Sequence, residues 1–215
     1  MTILDEIVAD KREELARRRE ETPVEPLRET AAARAAPPPF AASLRAAPIG
    51  LIAEVKRRSP SAGAIRDPFD PPRIAAAYEA GGAQAVSVLM DAKYFGGGEE
   101  DFRAAREAIR LPMLYKEFVV DPWQVWHAAS LGASAALLIS GVLNEEELRA
   151  FQSELAGARL EALVEVHNAE QMVMAVAAGA TCIGINNRDL RTFTVSLDTT
   201  LEVAEGAPEG CTLVS

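Results

Sequence analysis

Residues 51–61 read Leu51-Ile52-Ala53-Glu54-Val55-Lys56-Arg57-Arg58-Ser59-Pro60-Ser61, an apolar run that carries two charges and closes on a Ser-Pro-Ser turn. In a β-strand, side chains two residues apart project from the same face, so Glu54 and Lys56 point to one side. An unpaired charge inside an apolar strand is costly, so this pair is either a structural ion pair or a part of a functional site. The stretch alone leaves both interpretations open.

Six more strand-like runs follow this one, and helical segments lie between them. The predicted strands are Leu51–Lys56, Ala85–Met90, Met113–Phe118, Ala135–Ser140, Ala162–Val166, Cys182–Asn186 and Thr212–Ser215. The predicted helices are Pro71–Ala80, Glu99–Ile109, Pro122–Leu131, Glu145–Leu155, Ala169–Ala178 and Asp198–Glu205. Apolar strands that alternate with helices indicate a parallel sheet buried on both faces. A repeat of roughly 20 to 33 residues, without a glycine-rich dinucleotide motif, favours an α/β fold of the (β/α)8 TIM-barrel type over a doubly wound sheet.

The chain divides into two parts in this interpretation. Residues 1–46 form an N-terminal helical extension, with an amphipathic helix over 2–20, a Pro-, Ala- and Arg-rich linker over 22–39 that can hold a short helix, and a helical turn at Phe40–Arg45. Residues 47–215 form the barrel. Eight barrel units usually need about 250 residues, so we expect a barrel truncated within strand seven, without its last two units.

The composition narrows the classes of partner. The 215 residues carry a net charge of −10, which argues against broad binding to nucleic acid because phosphate contacts need a basic surface. No apolar run approaches the roughly 18 residues of a membrane span, and the N-terminus lacks a signal-peptide core. Cys182 and Cys211 lie in apolar contexts without metal-ligand spacing. We therefore expect reduced thiols, a cytoplasmic location and no nucleic-acid or membrane partner.

Polar residues cluster where the predicted strands end. Active sites of such barrels lie at the carboxyl ends of the strands. The residues found there are two lysines, two glutamates, an asparagine and an arginine: Lys56, Lys116, Glu54, Glu165, Asn186 and Arg188. An aromatic and glycine-rich loop over 91–98 is suited to cover a flat ligand. This convergence favours function over a structural ion pair for Glu54 and Lys56.

Several other polar residues are discounted. His127 lies in a predicted outer helix and is interpreted as a packing or surface residue. His167 lies just beyond Glu165, where a loop role is favoured over a place in the pocket. Tyr115 and Glu117 alternate with the strand-three lysine and should face the helix layer.

Five motifs carry a family resemblance: Ile52–Ser61, Tyr94–Gly97, Lys116–Val120, Leu163–Val166 and Gly184–Leu190. In order and spacing they resemble the indole-3-glycerol phosphate synthase family, and the resemblance runs from the N-terminal helix to Ser215. It implies a carbon–carbon lyase of tryptophan biosynthesis. The implied reaction converts 1-(2-carboxyphenylamino)-1-deoxyribulose 5-phosphate to indole-3-glycerol phosphate, carbon dioxide and water, without a metal or a cofactor.

The resemblance also implies residue roles. Lys116 would be the general acid, and Lys56 would anchor the anionic substrate and assist proton transfer. Glu165 would accept or relay a proton during dehydration, while Glu54 and Asn186 would orient the substrate and the lysines. The implied substrate-binding residues are Ser59, Phe95, Phe118 and Arg188.

The family supplies a further glutamate, a serine and backbone phosphate donors beyond the position of Ser215, so we expect little activity from the chain as given.

Three alternative functions stay open. They are a non-catalytic incomplete barrel that binds a ligand or partner, phosphoribosylanthranilate isomerase, and a Schiff-base aldolase with a neutral Lys116. The isomerase would favour a cysteine and aspartate pair. Other enzymes of the tryptophan pathway are the expected protein partners.

Overall fold

The computed structural model describes residues 2–60, 63–65, 67–188 and 194–215. Within these ranges the helices are α1 (Ile3–Glu21), α2 (Val24–Ala33), α3 (Phe40–Arg45), α4 (Pro71–Ala80), α5 (Ala92–Phe95), α6 (Glu99–Ala108), α7 (Pro122–Leu131), α8 (Glu145–Gly157), α9 (Ala169–Ala177) and α10 (Asp198–Ala204). The strands are β1 (Ile52–Val55), β2 (Arg58–Ser59), β3 (Gly63–Ala64), β4 (Ala85–Leu89), β5 (Met113–Lys116), β6 (Ala135–Ile139), β7 (Glu161–Val166), β8 (Cys182–Ile185) and β9 (Thr212–Val214). The predicted Ser61 of the first motif, and Asp189 and Leu190 of the last, lie outside the described residues.

Seven parallel strands form one sheet in the order β1-β4-β5-β6-β7-β8-β9. Alternate side chains pack on its two faces. Leu114 and Leu163 belong to an inner apolar cluster, while Tyr115 and Val164 pack in the layer between sheet and helices. The sheet is curled, because residues of β1 and residues just after β8 line one cavity. The predicted α/β fold with a parallel barrel-type sheet is thus confirmed; among the described strands, β1 and β9 are the edges.

Helix α3 closes the end of the sheet where the strands begin. Phe40 and Leu44 are buried in the inner cluster. The Glu161 carboxylate, at the start of β7, accepts hydrogen bonds from the backbone N–H groups of Phe40 (2.5 Å) and Ala41 (3.0 Å). A carboxylate at a helix N-terminus satisfies donors that have no partner within the helix. This end of the barrel is therefore filled, and the open end is where the strands finish.

Helix α1 covers that open end. Its start is fixed by a capping box, in which Thr2 and Asp5 exchange side-chain and backbone hydrogen bonds, as their spacing suggests. Ile7 and Leu15 are buried on the face toward the sheet. The amphipathic helix predicted for residues 2–20 is confirmed.

Helix α2 corresponds to the short helix considered for the linker segment and occupies ten residues of it. Two other local features differ from the sequence-based expectation. The antiparallel pair β2–β3 follows β1, where only a turn was expected. One helical turn, α5, forms in the predicted loop because the Asp91 side chain accepts the N–H of Tyr94 and caps it. The boundary between 46 and 47 stays a prediction.

Candidate active site

A cavity of about 370 Å³ opens at the carboxyl ends of the strands. All nine predicted site residues line it: Glu54, Lys56, Ser59, Phe95, Lys116, Phe118, Glu165, Asn186 and Arg188. They come from β1, β5 and β7 and from the segments that follow β1, β4, β5 and β8. The structure therefore brings together side chains that are up to 134 positions apart in the sequence, from Glu54 to Arg188.

One carboxylate lies between the two lysines of the site. An oxygen of Glu54 contacts the ammonium of Lys56, and its other oxygen is 3.4 Å from Lys116 Nζ. The Glu54 main chain is held in turn, because the Tyr78 hydroxyl donates a 3.0 Å hydrogen bond to its carbonyl oxygen. Glu54 can therefore hold both lysines in place and neutralise part of their charge.

The second carboxylate of the site, Glu165, has its own partners. Asn186 Nδ2 donates to Glu165 Oε1 at 3.1 Å. His167 Nε2 lies 3.4 Å from the same oxygen, and both side chains are largely buried. His167 follows the end of β7 and lies outside the cavity lining, in agreement with the favoured loop role. Its contact with Glu165 was not predicted.

These contacts determine which groups of the site carry charge. Burial lowers the pKa of Lys116, but the carboxylates of Glu165 and Glu54 outweigh it and raise the pKa above its ordinary value. Burial raises the pKa of Glu54, and the two lysines more than reverse this, so that it falls below its ordinary value. The pKa of Glu165 is also lowered, because His167, Lys116 and Asn186 together outweigh its burial. At neutral pH the site therefore presents a protonated lysine beside ionised carboxylates, which is an acid–base arrangement.

Apolar side chains form the remaining walls. The rings of Phe95 and Phe118 lie with their centroids 6.3 Å apart, as the two aromatic walls of the cavity. Sequence reasoning missed a further wall, which Ile3, Leu4 and Ile7 of α1 supply. Their helical spacing indicated that α1 covers a surface, but nothing in it identified that surface as the mouth of the sheet.

Arg188 and Ser59 lie at the rim of the cavity. The backbone N–H of Arg188 donates to Asn186 Oδ1 at 3.0 Å, so the asparagine fixes the turn after β8 as well as contacting Glu165. Ser59 belongs to the β2–β3 pair. The predicted positions of both residues are confirmed as lining positions, while their roles stay predictions.

The discounted residues behave largely as expected. His127 is buried in α7, stacked on Trp123 with ring centroids 4.8 Å apart, and lies outside the cavity lining. The Tyr115 hydroxyl is 3.1 Å from His127 Nδ1, in the layer between sheet and helices. Glu117 meets Lys11 of α1, but it also contributes to the cavity lining, which its predicted place in the helix layer did not include.

The described residues contain neither a cluster of metal ligands nor a membrane-spanning helix. No group of three or more His, Cys, Asp or Glu side chains in the described part of the chain could hold a metal ion. Over the same residues, none of the helices has both the length and the apolar character required to cross a membrane.

The family model and the similar sequences all name one enzyme family. The family model for indole-3-glycerol phosphate synthase matches residues 4–215. The enzyme of that name from Rhizorhabdus wittichii is 44% identical over 216 residues, which cover 99% of this chain and 82% of the relative. The corresponding enzyme from Acidithiobacillus ferrooxidans is 43% identical, with coverage of 96% and 80%. Among solved structures, N-acetylmannosamine-6-phosphate 2-epimerase from Clostridium perfringens aligns with a TM-score of 0.48 at 14% identity, covering 77% of this chain and 85% of that one; a likeness this slight says nothing about function.

A curled parallel sheet with acid–base side chains at the carboxyl ends of its strands defines an enzyme of the α/β-barrel class. Within that class, this chain belongs to the indole-3-glycerol phosphate synthase family. The enzymes of this family are carboxy-lyases of tryptophan biosynthesis and act on a small phosphorylated substrate.

Proposed function

We propose that the chain closes the indole ring with Lys116 as the general acid. The aromatic carbon that bears the carboxylate attacks the ketone carbon of the sugar chain, and a new carbon–carbon bond forms. The ketone oxygen gains negative charge in this step and takes a proton from Lys116. The observation that supports this role is the raised pKa of Lys116 between Glu54 and Glu165, which keeps the proton available at neutral pH.

The later steps need a base. Loss of carbon dioxide returns a bonding pair to the ring. The hydroxyl formed from the ketone then takes up a second proton and leaves as water, and that proton replaces the one removed from the carbon beside the nitrogen. We assign that removal to Glu165, whose lowered pKa leaves its carboxylate ionised and whose orientation is held by Asn186 and His167.

Charged and apolar side chains of the cavity bind different parts of the substrate. Lys56, with Arg188 at the rim, supplies positive charge for the anionic groups. Phe95 and Phe118, with Ile7 opposite, supply apolar surface for the aromatic ring. Ser59 contributes a hydroxyl at the same rim.

Two alternative mechanisms fit the geometry less well. A Schiff-base aldolase needs a neutral lysine as nucleophile, whereas the carboxylates around Lys116 favour its protonated form. An isomerase that uses a cysteine base needs a thiolate. Burial raises the pKa of the Cys182 thiol to about 12, and Cys182 lies in the inner apolar cluster away from the cavity lining.

The test is the fluorescence of the indole product, measured with 1-(2-carboxyphenylamino)-1-deoxyribulose 5-phosphate as substrate. Relative to the parent, Lys116→Met should lower kcat by roughly 10²–10⁴-fold while the circular dichroism spectrum is unchanged. Lys93→Met, which removes an exposed lysine outside the cavity, is the matched control. A Lys116→Met variant with the parent turnover would contradict the assignment.

The finer points on location and partners are also proposals. We place the reaction in the cytoplasm because Cys182 and Cys211 are free thiols. The net charge of −10 argues against a nucleic-acid partner, and we propose no membrane partner. Cell fractionation tests the location, and recovery of the chain in the periplasmic fraction would contradict it. Association with other tryptophan-pathway enzymes should be visible by co-purification.

A further inference from the structure

Lys11 of α1 is a buried lysine that the proposed chemistry does not use. Its side chain is only 2% exposed. Its ammonium lies 2.7 Å from Glu14 Oε2, 2.9 Å from Asp91 Oδ2 and 3.1 Å from Glu117 Oε2. Asp91 follows β4 and Glu117 follows β5, so one cation joins α1 to two separate segments at the mouth of the sheet.

Each of these two segments carries one aromatic wall of the cavity. The second oxygen of Asp91 accepts the N–H of Tyr94 at 2.6 Å and so starts α5, which ends in Phe95. The second oxygen of Glu117 accepts the N–H of Phe118 at 2.9 Å. Asp91 and Glu117 thus each use one oxygen for the Lys11 ammonium and the other for the main chain beside a phenyl ring.

We propose that Lys11 is a positioning residue that sets the spacing of Phe95 and Phe118 and holds α1 over the cavity. Ile7, one helical turn before Lys11, then reaches the cavity as the third apolar wall. The inference rests on the proposed function, because it assumes that these walls receive the aromatic ring of the substrate. Lys11 itself lies outside the cavity lining and acts through Asp91 and Glu117.

The charges explain why an apolar residue cannot replace Lys11 in this role. Asp91 and Glu117 are both about 3% exposed, so without the ammonium two buried carboxylates would face each other. Like charges in a buried setting repel strongly, and an uncompensated buried carboxylate is costly. The two segments would therefore separate or take up protons, and either change alters the contacts that hold α5 and Phe118.

The test separates the two ends of the cavity with two inhibitors. Anthranilate probes the aromatic end and ribulose 5-phosphate probes the sugar-phosphate end. In Lys11→Met, which keeps the length of the side chain and removes its charge, anthranilate inhibition should weaken by about tenfold or more, because both phenyl walls that would contact the ring shift; tenfold corresponds to about 1.4 kcal/mol of binding free energy. KM for the substrate should rise more than kcat falls, and inhibition by ribulose 5-phosphate should stay close to that of the parent.

A control variant tests whether loss of any ion pair of α1 has the same effect, and a double variant replaces Lys11→Met if that protein does not fold. Arg19→Met removes an exposed ion pair between the same helix and Asp121, which lies outside the cavity lining, and should leave both inhibition constants unchanged. The double variant Lys11→Met/Glu117→Gln keeps an oxygen acceptor for Phe118 and removes one buried charge, so it covers the case in which Lys11→Met does not fold. The double variant should show the same selective loss of anthranilate affinity.

Two results would overturn the role of Lys11. One is anthranilate affinity in a folded Lys11 variant that matches Arg19→Met, and the other is an equal loss at both ends of the cavity. Neither result bears on the general acid, which Lys116→Met tests separately by its effect on kcat. Parent turnover in Lys116→Met, with selective loss of anthranilate affinity in Lys11→Met, would instead reject the acid and keep the positioning residue.

Discussion

Lys116 Nζ lies 3.4 Å from Glu54 Oε2, and the other oxygen of the same carboxylate contacts Lys56. Glu54 is therefore shared between the proposed acid and the proposed substrate anchor. The period of two in β1 explains how one strand end supplies both Glu54 and Lys56 to the same side. A carboxylate in this position should influence binding and protonation together.

The first prediction concerns the protonation of Lys116. Glu54 is one of the two carboxylates that raise the pKa of Lys116, so Glu54→Gln should lower that pKa relative to the parent. Because the acid must be protonated, the alkaline limb of the pH–kcat profile should move to lower pH. Glu145→Gln, an exposed glutamate on α8, is the control and should leave the limb in place. An unchanged limb in Glu54→Gln would show that Lys116 does not set it.

The second prediction concerns substrate binding by Lys56. Lys56→Met removes a cation from the cavity without shortening the side chain, so KM should rise by roughly 10- to 100-fold, as expected when a hydrogen bond to a charged group is lost. The value of kcat should fall less than in Lys116→Met. Initial rates across substrate concentrations separate the two constants. A dominant fall in kcat would instead assign Lys56 to the chemical step.

The charges at the strand ends could be predicted from the sequence, and the structure shows why. Alternation along a strand and convergence of parallel strands are general rules, so Lys116 and Glu165 had to share the mouth of the sheet once the strands were identified. The contact between Lys11 and Glu117 follows no such rule. The two residues are 106 positions apart, and the packing of α1 against the sheet is decided by the summed contacts of the whole helix face.

The short elements at the mouth were also beyond prediction. The turn α5 depends on one side-chain hydrogen bond from Tyr94 N to Asp91, and such bonds compete closely with other loop conformations. The β2–β3 pair has two residues in each strand, too few for a hydrophobic period to be visible. Both elements carry site residues, Phe95 and Ser59, whose final positions therefore depend on tertiary structure.

The third prediction concerns Gly97, in the loop between α5 and α6. A Cβ atom at Gly97 would lie 1.9 Å from the Leu89 carbonyl oxygen, which is backbone and cannot move aside alone. Leu89 pairs in register with Lys116, so the displacement would reach the proposed acid. Gly97→Ala should therefore lower kcat/KM by roughly tenfold or more.

The neighbouring glycine supplies the control for this variant. A Cβ at Gly98 meets nothing within 4 Å, and its φ of 169° is extended backbone that alanine adopts. Gly98→Ala should retain the parent kcat/KM and change the free energy of unfolding by no more than about 0.5 kcal/mol. Equal effects of the two substitutions would show that close packing on Leu89 is not what the loop requires.

The fourth prediction concerns the pH dependence of stability through Glu117. Burial raises the pKa of this carboxyl to about 7, and the negative charge of Asp91 adds to the increase, so that the attraction of Lys11 does not restore the ordinary value of 4.5. Between pH 4.5 and 7 the folded chain therefore binds a proton that the unfolded chain has released. The free energy of unfolding should fall as pH rises through this window, by at most about 3 kcal/mol from this group.

Glu117→Gln isolates that contribution, because glutamine resembles the protonated carboxyl and does not titrate. Chemical unfolding of both proteins at pH 5, 6, 7 and 8 gives the difference in their free energies of unfolding. The parent should lose stability relative to Glu117→Gln as the pH increases, with most of the change below pH 8. Parallel curves for the two proteins across this range would mean that Glu117 ionises near its ordinary pKa because the attraction of Lys11 fully offsets the effect of burial.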